Sequence, residues 1–337
     1  MIFQAMKSTL FIHSFLIKIG IIMCLIVFPK VGFSQKEMSK YKLFFGEGTY
    51  QNQKQIILRS YEIKEKQFYI IVNPRTLMVQ SVASSSFLAT PLAWKTILEQ
   101  FKDTPYIMAI EAAKKESFSL ADSGITHGYA KENGVTLTID LCPSHKALDR
   151  ILFTSLIEEF KKVEKPVPIG ISITGRFLLS HTEDIKWLDH LEKKGYIHIT
   201  WINHTYNHRY NPSLPLTRNF LLEPNTDLSF ELLGTEMALL QDGKIFSPFF
   251  RFPGLISSPD LVEKVTSFGL IPIGSDAWLA KGQPIHAGSI VLIHGNGNEP
   301  VGVKDFIQLL HNKDTSVMKK EWLLYDLRES VENEFHE

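Results

Sequence analysis

Three short stretches decide the fold class: Val135-Thr-Leu-Thr-Ile-Asp140, Val167-Pro-Ile-Gly-Ile-Ser-Ile173 and His198-Ile-Thr-Trp-Ile202. Each is a run of β-branched and apolar residues of strand length. Between the first two lies an amphipathic segment from Ala147 to Lys162, and between the last two a helical pattern from Ile185 to Lys194. Strand, helix, strand, repeated, predicts an α/β fold with a parallel sheet, open or closed into a barrel. The rhythm continues downstream. A loop from Arg209 to Asn225 carries Pro212, Pro215 and Pro224, and a helix follows to about Gln241. Phe246 to Phe252, Leu270 to Gly274 and Ser289 to Ile293 read as strands, Val301 to His311 as a helix, and Trp322 to Asp326 as a last short strand.

Upstream the pattern differs. Residues 35–129 hold a predicted strand, Lys66 to Val72, and a predicted helix, Leu92 to Phe101, but no motif with chemical meaning. They are expected to form a small N-terminal accessory region ahead of a catalytic domain over residues 130–330, with His127 a surface or loop histidine. Residues 1–34 carry Lys7, Lys18 and Lys30, no acidic residue, and the apolar run Ile19 to Phe28 before Gly32 and Ser34. That order of basic start, short apolar middle and small-residue end predicts a cleaved secretory signal peptide. It places the mature protein outside the cytoplasm, secreted or periplasmic, without stable membrane insertion.

The whole chain of 337 residues balances 36 Lys+Arg against 36 Asp+Glu, which gives no reason to expect a nucleic-acid partner. Loss of residues 1–34 removes three lysines and takes the net charge from zero to about −3. It also removes Cys24, so Cys142 becomes the lone thiol and no intramolecular disulfide is possible.

Chemistry in parallel α/β folds gathers at the carboxyl ends of the strands. Asp140, His204, Arg251 and His294 all fall there, and Asp276 follows the strand at Leu270 to Gly274. In Asn203-His204-Thr205-Tyr206-Asn207-His208, the two histidines have the only i, i+4 spacing among twelve in the chain. On a helical turn that spacing lets both converge on one metal ion. Asp140 and Arg251 are charges at the ends of apolar runs, costly without partners. Asp140 is a natural counter-ion of Arg251, and so is Asp276. His294 precedes Gly295-Asn296-Gly297, a loop permissive enough for a substrate to approach. It suits a general acid held by a nearby carboxylate.

Taken in order, these segments resemble the polysaccharide deacetylase family, NodB-like carbohydrate esterase family 4. The matching segments are Thr138-Ile139-Asp140-Leu141, His204-Thr205-Tyr206-Asn207-His208, Arg251-Phe252-Pro253-Gly254, Asp276-Ala277-Trp278 and Leu292-Ile293-His294. The resemblance covers residues 130–330. It implies a distorted (β/α) barrel of parallel strands and metal-dependent hydrolysis of N-acetyl groups on amino-sugar polymers, peptidoglycan or chitin-like, with release of acetate. By the same resemblance His204 and His208 hold a divalent metal, Zn2+ by preference, and Asp140 is the general base. Arg251 keeps Asp140 ionised, His294 protonates the leaving amine, and Asp276 helps to set the charge of the site. Trp278 and Leu292 wall a pocket for the acetyl methyl.

One position departs from the pattern. The family's second aspartate, a metal ligand, is Leu141 here. The third donor is then Asp140 itself, Cys142 two residues on, or His145 from the following loop, with Asp140 the favoured of the three. Two other readings stay open on this departure: a catalytically impaired relative that binds glycans, and a deacylase of small N-acyl compounds.

Overall fold

The structure is a computed structural model and describes residues 38–129 and 133–335. The expected signal peptide lies outside the described residues, and among those residues no helix is long and apolar enough to cross a membrane.

Residues 38–91 form a five-stranded antiparallel sheet: β1 (Met38–Tyr50), β2 (Gln53–Ile63), β3 (Lys66–Val72), β4 (Val79–Ala83) and β5 (Thr90–Pro91), in the order β4-β3-β2-β1-β5. Gln51 and Asn52 turn β1 into β2 with φ of 50° and 63°, and Lys64 and Glu65 turn β2 into β3 with φ of 48° and 61°. Two consecutive left-handed residues are what a tight hairpin demands, because they match the twist of the flanking strands. Helices α1 (Trp94–Gln100) and α2 (Pro105–Lys115) follow.

The predicted alternation then takes over: β6 (Thr136–Leu141), α3 (Arg150–Phe160), β7 (Val167–Ile173), α4 (Gly175–Ser180), α5 (Thr182–Lys193), β8 (Ile197–Asn203) and α6 (Leu228–Gln241). Next come β9 (Phe249–Phe250), α7 (Pro259–Thr266), β10 (Ile271–Pro272), β11 (Ala277–Trp278), β12 (Ile290–His294), α8 (Pro300–Met318) and α9 (Leu327–Glu334). Two strands are shorter than the sequence suggests, β9 being bracketed by Pro248 and Pro253 and β10 ending on Pro272, because proline donates no ladder hydrogen bond. The strand expected at Trp322 to Asp326 is absent. Only an isolated bridge joins Leu324 to Val135, and the backbone from Leu327 onward turns into α9 instead.

All pairs in the second sheet are parallel, in the order β10-β9-β8-β7-β6-β12-β11. Its two edge strands are joined by only the four residues Ile273 to Asp276. Laid flat, seven strands would hold the edges about 29 Å apart, whereas that link reaches at most about 18 Å. The sheet is therefore curled into an open, distorted barrel. Its long strands are rich in Ile, Leu and Val and buried almost throughout, His198 of β8 being exposed, as suits parallel strands covered by helices.

The two sheets share a hydrophobic core that runs from Ile56 and Leu58 through Ile139, Ile171 and Phe249. A fully buried ion pair crosses it: Arg59 of β2 donates from Nε to Glu236 of α6 at 2.7 Å, and Tyr41 donates to the same carboxylate at 2.7 Å. Loss of one partner would strand the other charge in the core, at a cost of about 3–5 kcal/mol.

Candidate active site

The pairing register brings the site together at one end of the parallel sheet. Asp140 of β6 is aligned with His294 of β12 and with Ser172 of β7, and Asn203 of β8 is aligned with Phe250 of β9, one residue before Arg251. Four of the sequence-derived residues, Asp140, His204, Arg251 and His294, thus stand at neighbouring strand ends.

Alternation along β6 sorts the three residues at its end. Leu141 is wholly buried in the main core, while Asp140 and Cys142 lie on the other face, 3% and 4% exposed. Arg251 is fully buried. Its Nη1 donates to Asp140 Oδ1 at 3.4 Å and its Nη2 to the Gly274 carbonyl at 3.0 Å, which leaves Nε without a partner. Burial pushes the guanidinium below its ordinary range, opposed by the Asp140 charge.

The histidine pair converges, but not on a helical turn as the spacing suggests. Residues 204–208 form an irregular loop in which Thr205 and His208 have φ of 67° and 51°. Two hydrogen-bond acceptors hold this unusual backbone. Asn203 Oδ1 accepts from the Thr205 N–H at 3.0 Å, and Glu231 Oε2 accepts from the N–H groups of Tyr206 and Asn207 at 3.0 and 2.8 Å. Tyr206 also packs against Gly175, where an added Cβ would stand 2.2 Å from the ring. The two imidazoles end with ring centroids 4.9 Å apart.

His204 is fully buried, and its Nδ1 meets the Arg251 carbonyl at 2.9 Å. A carbonyl only accepts, so Nδ1 carries the proton and Nε2 is left with a free lone pair. That Nε2 lies 3.6 Å from Cys142 Sγ and 3.8 Å from Asp140 Oδ2. His208 Nε2 is buried and has no hydrogen-bond partner. Among the described residues, the His, Cys and carboxylate donors that close within 4.8 Å of one another are those of Cys142, His204 and His208. His145 is exposed.

His294 has a partner that the sequence did not single out. Its Nδ1 donates to Glu299 Oε2 at 2.8 Å, and Trp278 Nε1 donates to the same oxygen at 2.8 Å. Burial alone would lower the imidazole pKa, but hydrogen bonds to Cys142 and Glu299 push it up to about 11. Burial alone would likewise raise Glu299, yet its bonding to His294 lowers it. Cys142 follows the same logic: burial would raise the thiol, and the charge of His208 together with the neighbouring imidazoles of His204 and His294 brings it well below its usual range.

Asp276 stands elsewhere. It accepts from the Ile290 N–H at 3.1 Å and from Ser289 Oγ at 3.2 Å, and pairs with His127 Nδ1 at 2.8 Å. These contacts put it at the start of β12, whereas His294 is at its end. Arg251 takes no hydrogen bond to it.

The group opens into a cleft of about 550 Å³, lined by Cys142, His208, Tyr210, Phe220, Trp278 and His294 among others. Trp278 and Leu292 pack with Leu255 in a small apolar cluster at its wall. The donor set suits a metal: one thiol, one imidazole fixed in the right tautomer and one orphaned imidazole nitrogen converge in a buried position.

Comparison with known proteins adds two findings. Residues 39–107 match the RP012 protein N-terminal domain. Among solved structures, the chain is similar to a family 4 carbohydrate esterase from Bacillus anthracis, 18% identical, over 66% of this chain and 91% of that one, with a TM-score of 0.46. It is similar also to a family 4 carbohydrate esterase from Streptomyces lividans solved in complex with acetate, 15% identical, over 58% of this chain and 93% of that one, TM-score 0.39. A third is a CE4 family pseudoenzyme from Bacillus anthracis, 16% identical, over 67% and 81% of the two chains, TM-score 0.42.

Proposed function

We propose that the protein is an exported, metal-dependent deacetylase that hydrolyses N-acetyl groups of amino-sugar polymers and releases acetate, with residues 130–330 as its catalytic domain. The observation that carries this reading is that Asp140, His204 and Arg251 contact one another in a buried group, behind a cleft that Cys142, His208 and His294 line, with the motif residues in the order that the sequence gives them.

His204 and His208, with a third donor from the end of β6, hold a divalent ion. Bound there, it supplies Lewis-acid polarisation of the acyl carbonyl and a more acidic attacking water. The chain does the rest. Asp140 takes the proton of the water, and Arg251, 3.4 Å away, favours its ionised form. His294, held by Glu299, delivers a proton to the leaving amine nitrogen. Trp278 and Leu292 offer the acetyl methyl an apolar wall, and the exposed Tyr210 beside Phe220 gives a sugar ring a face to stack on.

Acetate release from N-acetylated chitooligosaccharides and from peptidoglycan tests the reading. Turnover abolished by a chelator, restored by zinc, and lost in Asp140→Asn supports it. Glycan binding without any acetate release in the zinc-loaded protein would overturn it, and turnover confined to small N-acyl compounds would replace the polymer by a soluble substrate.

A further inference from the structure

We propose that the third metal ligand is the Cys142 thiolate, so that this chain holds its ion with one sulfur and two nitrogens and leaves Asp140 free as a base. The inference rests on the metal reading of the site.

Four observations carry it. First, Leu141, the last residue of β6, turns into the core, while Asp140 before it and Cys142 after it both face His204. Second, Cys142 Sγ lies 3.6 Å from His204 Nε2. A tetrahedral zinc ion about 2.3 Å from sulfur and about 2.05 Å from nitrogen would separate those two donors by about 3.6 Å. Third, a plain thiol–imidazole hydrogen bond satisfies one histidine only and leaves His208 Nε2 buried and unpartnered, whereas a shared cation satisfies all three donors. Fourth, Asp140 already has a role that coordination would compromise: it is the counter-ion of the fully buried Arg251.

The chemistry follows from the donor set. Once bound, Cys142 coordinates as thiolate and both histidines as neutral imidazoles, so protons held among these three side chains leave to solvent on uptake of a divalent ion. A thiolate also makes the site softer than a carboxylate with two imidazoles and favours zinc over magnesium or manganese.

Cobalt(II) titration of the metal-free full chain separates the possibilities by absorption, without any reference to activity. Expected is one equivalent of bound cobalt with a near-ultraviolet thiolate-to-cobalt charge-transfer band. Cys142→Ser should lose the band, and its zinc affinity should fall by more than the roughly 10–100-fold that loss of an outer partner costs. Cys142→Asp should bind cobalt without the band, and circular dichroism should show both variants folded. Cobalt bound by wild type and lost in His204→Ala, but with no thiolate band, would overturn the cysteine ligand and leave the metal site standing. A band that persists in Cys142→Ser would overturn it equally. No cobalt binding by the folded wild type would overturn the metal reading itself.

Discussion

The two ends of β12 each hold a histidine against a carboxylate at the same separation. His127 pairs with Asp276 at 2.8 Å near its start, and His294 pairs with Glu299 at 2.8 Å at its end. The two carboxylates are similarly open, Asp276 28% and Glu299 32% exposed, but the His127 side chain is 48% exposed while that of His294 is 12% exposed and faces Cys142. The lesson is that distance alone does not make a catalytic pair. Water screens the first, so it contributes little. In the second, the imidazole has exchanged most of its water for a thiol and a carboxylate, the carboxylate itself being held by an indole N–H, and its charge is kept in place by them.

Predictions follow from breaking each side of that contrast. The largest effect belongs to the group that the buried pair serves: His204→Ala is expected to abolish acetate release and zinc retention together, read by an acetate assay and elemental analysis. His294→Ala should retain zinc while kcat drops by about 10²–10⁴-fold, the span usual for a lost general acid. Zinc lost along with kcat would instead make His294 part of the metal shell. Glu299→Gln keeps the shape but weakens the grip on the imidazole, and should lower kcat by about 10–100-fold with little change in KM. At the exposed end, Asp276→Asn should leave kcat unchanged and cost less than about 1 kcal/mol in urea unfolding. A large loss of kcat there would return Asp276 to the chemistry.

A third carboxylate sharpens the contrast. Glu164 is half-buried; its Oε2 has no partner, and burial, opposed by a backbone hydrogen bond from Leu324, pushes it up to about 7 from the ordinary 4.5. Where Glu299 is lowered by an imidazolium, Glu164 keeps its proton. The folded state therefore binds more protons than the unfolded chain between those values, and stability falls as pH rises from 4.5 to about 7. Glu164→Gln should flatten this part of the Tm profile and leave kcat unchanged. An unchanged slope would assign the pH dependence to other groups.

Much of the parallel half was legible because local chemistry and global fold agree there. Strands β6, β7, β8 and β12 are bounded within a residue or so of the apolar runs that predict them. The antiparallel sheet was not. Only β3 was foreseen, since β1 and β2 mix Lys, Gln and Glu with their apolar residues and are defined by pairing with each other. In the site, motif order singled out Asp140, His204, His208, Arg251 and His294, and the structure groups them. Glu299 lies five residues past His294 in a loop, and no spacing rule points to it. Cys142 was within reach, because alternation from Asp140 sets it on the same face, but its weight rested on where Leu141 would turn.

The sequence by itself determined the strand–helix rhythm and the residue types at the strand ends, because periodicity and buried charge are local properties of the chain. Tertiary structure alone decided which of those residues meet. The four-residue link between β10 and β11 curls the sheet and leaves Asp276 at the start of β12. A loop with two left-handed residues, held by Asn203 and Glu231, brings His208 back to His204 and Cys142. The Asn203 bond is local, but those of Glu231 reach back 24 and 25 residues, and no local pattern encodes them.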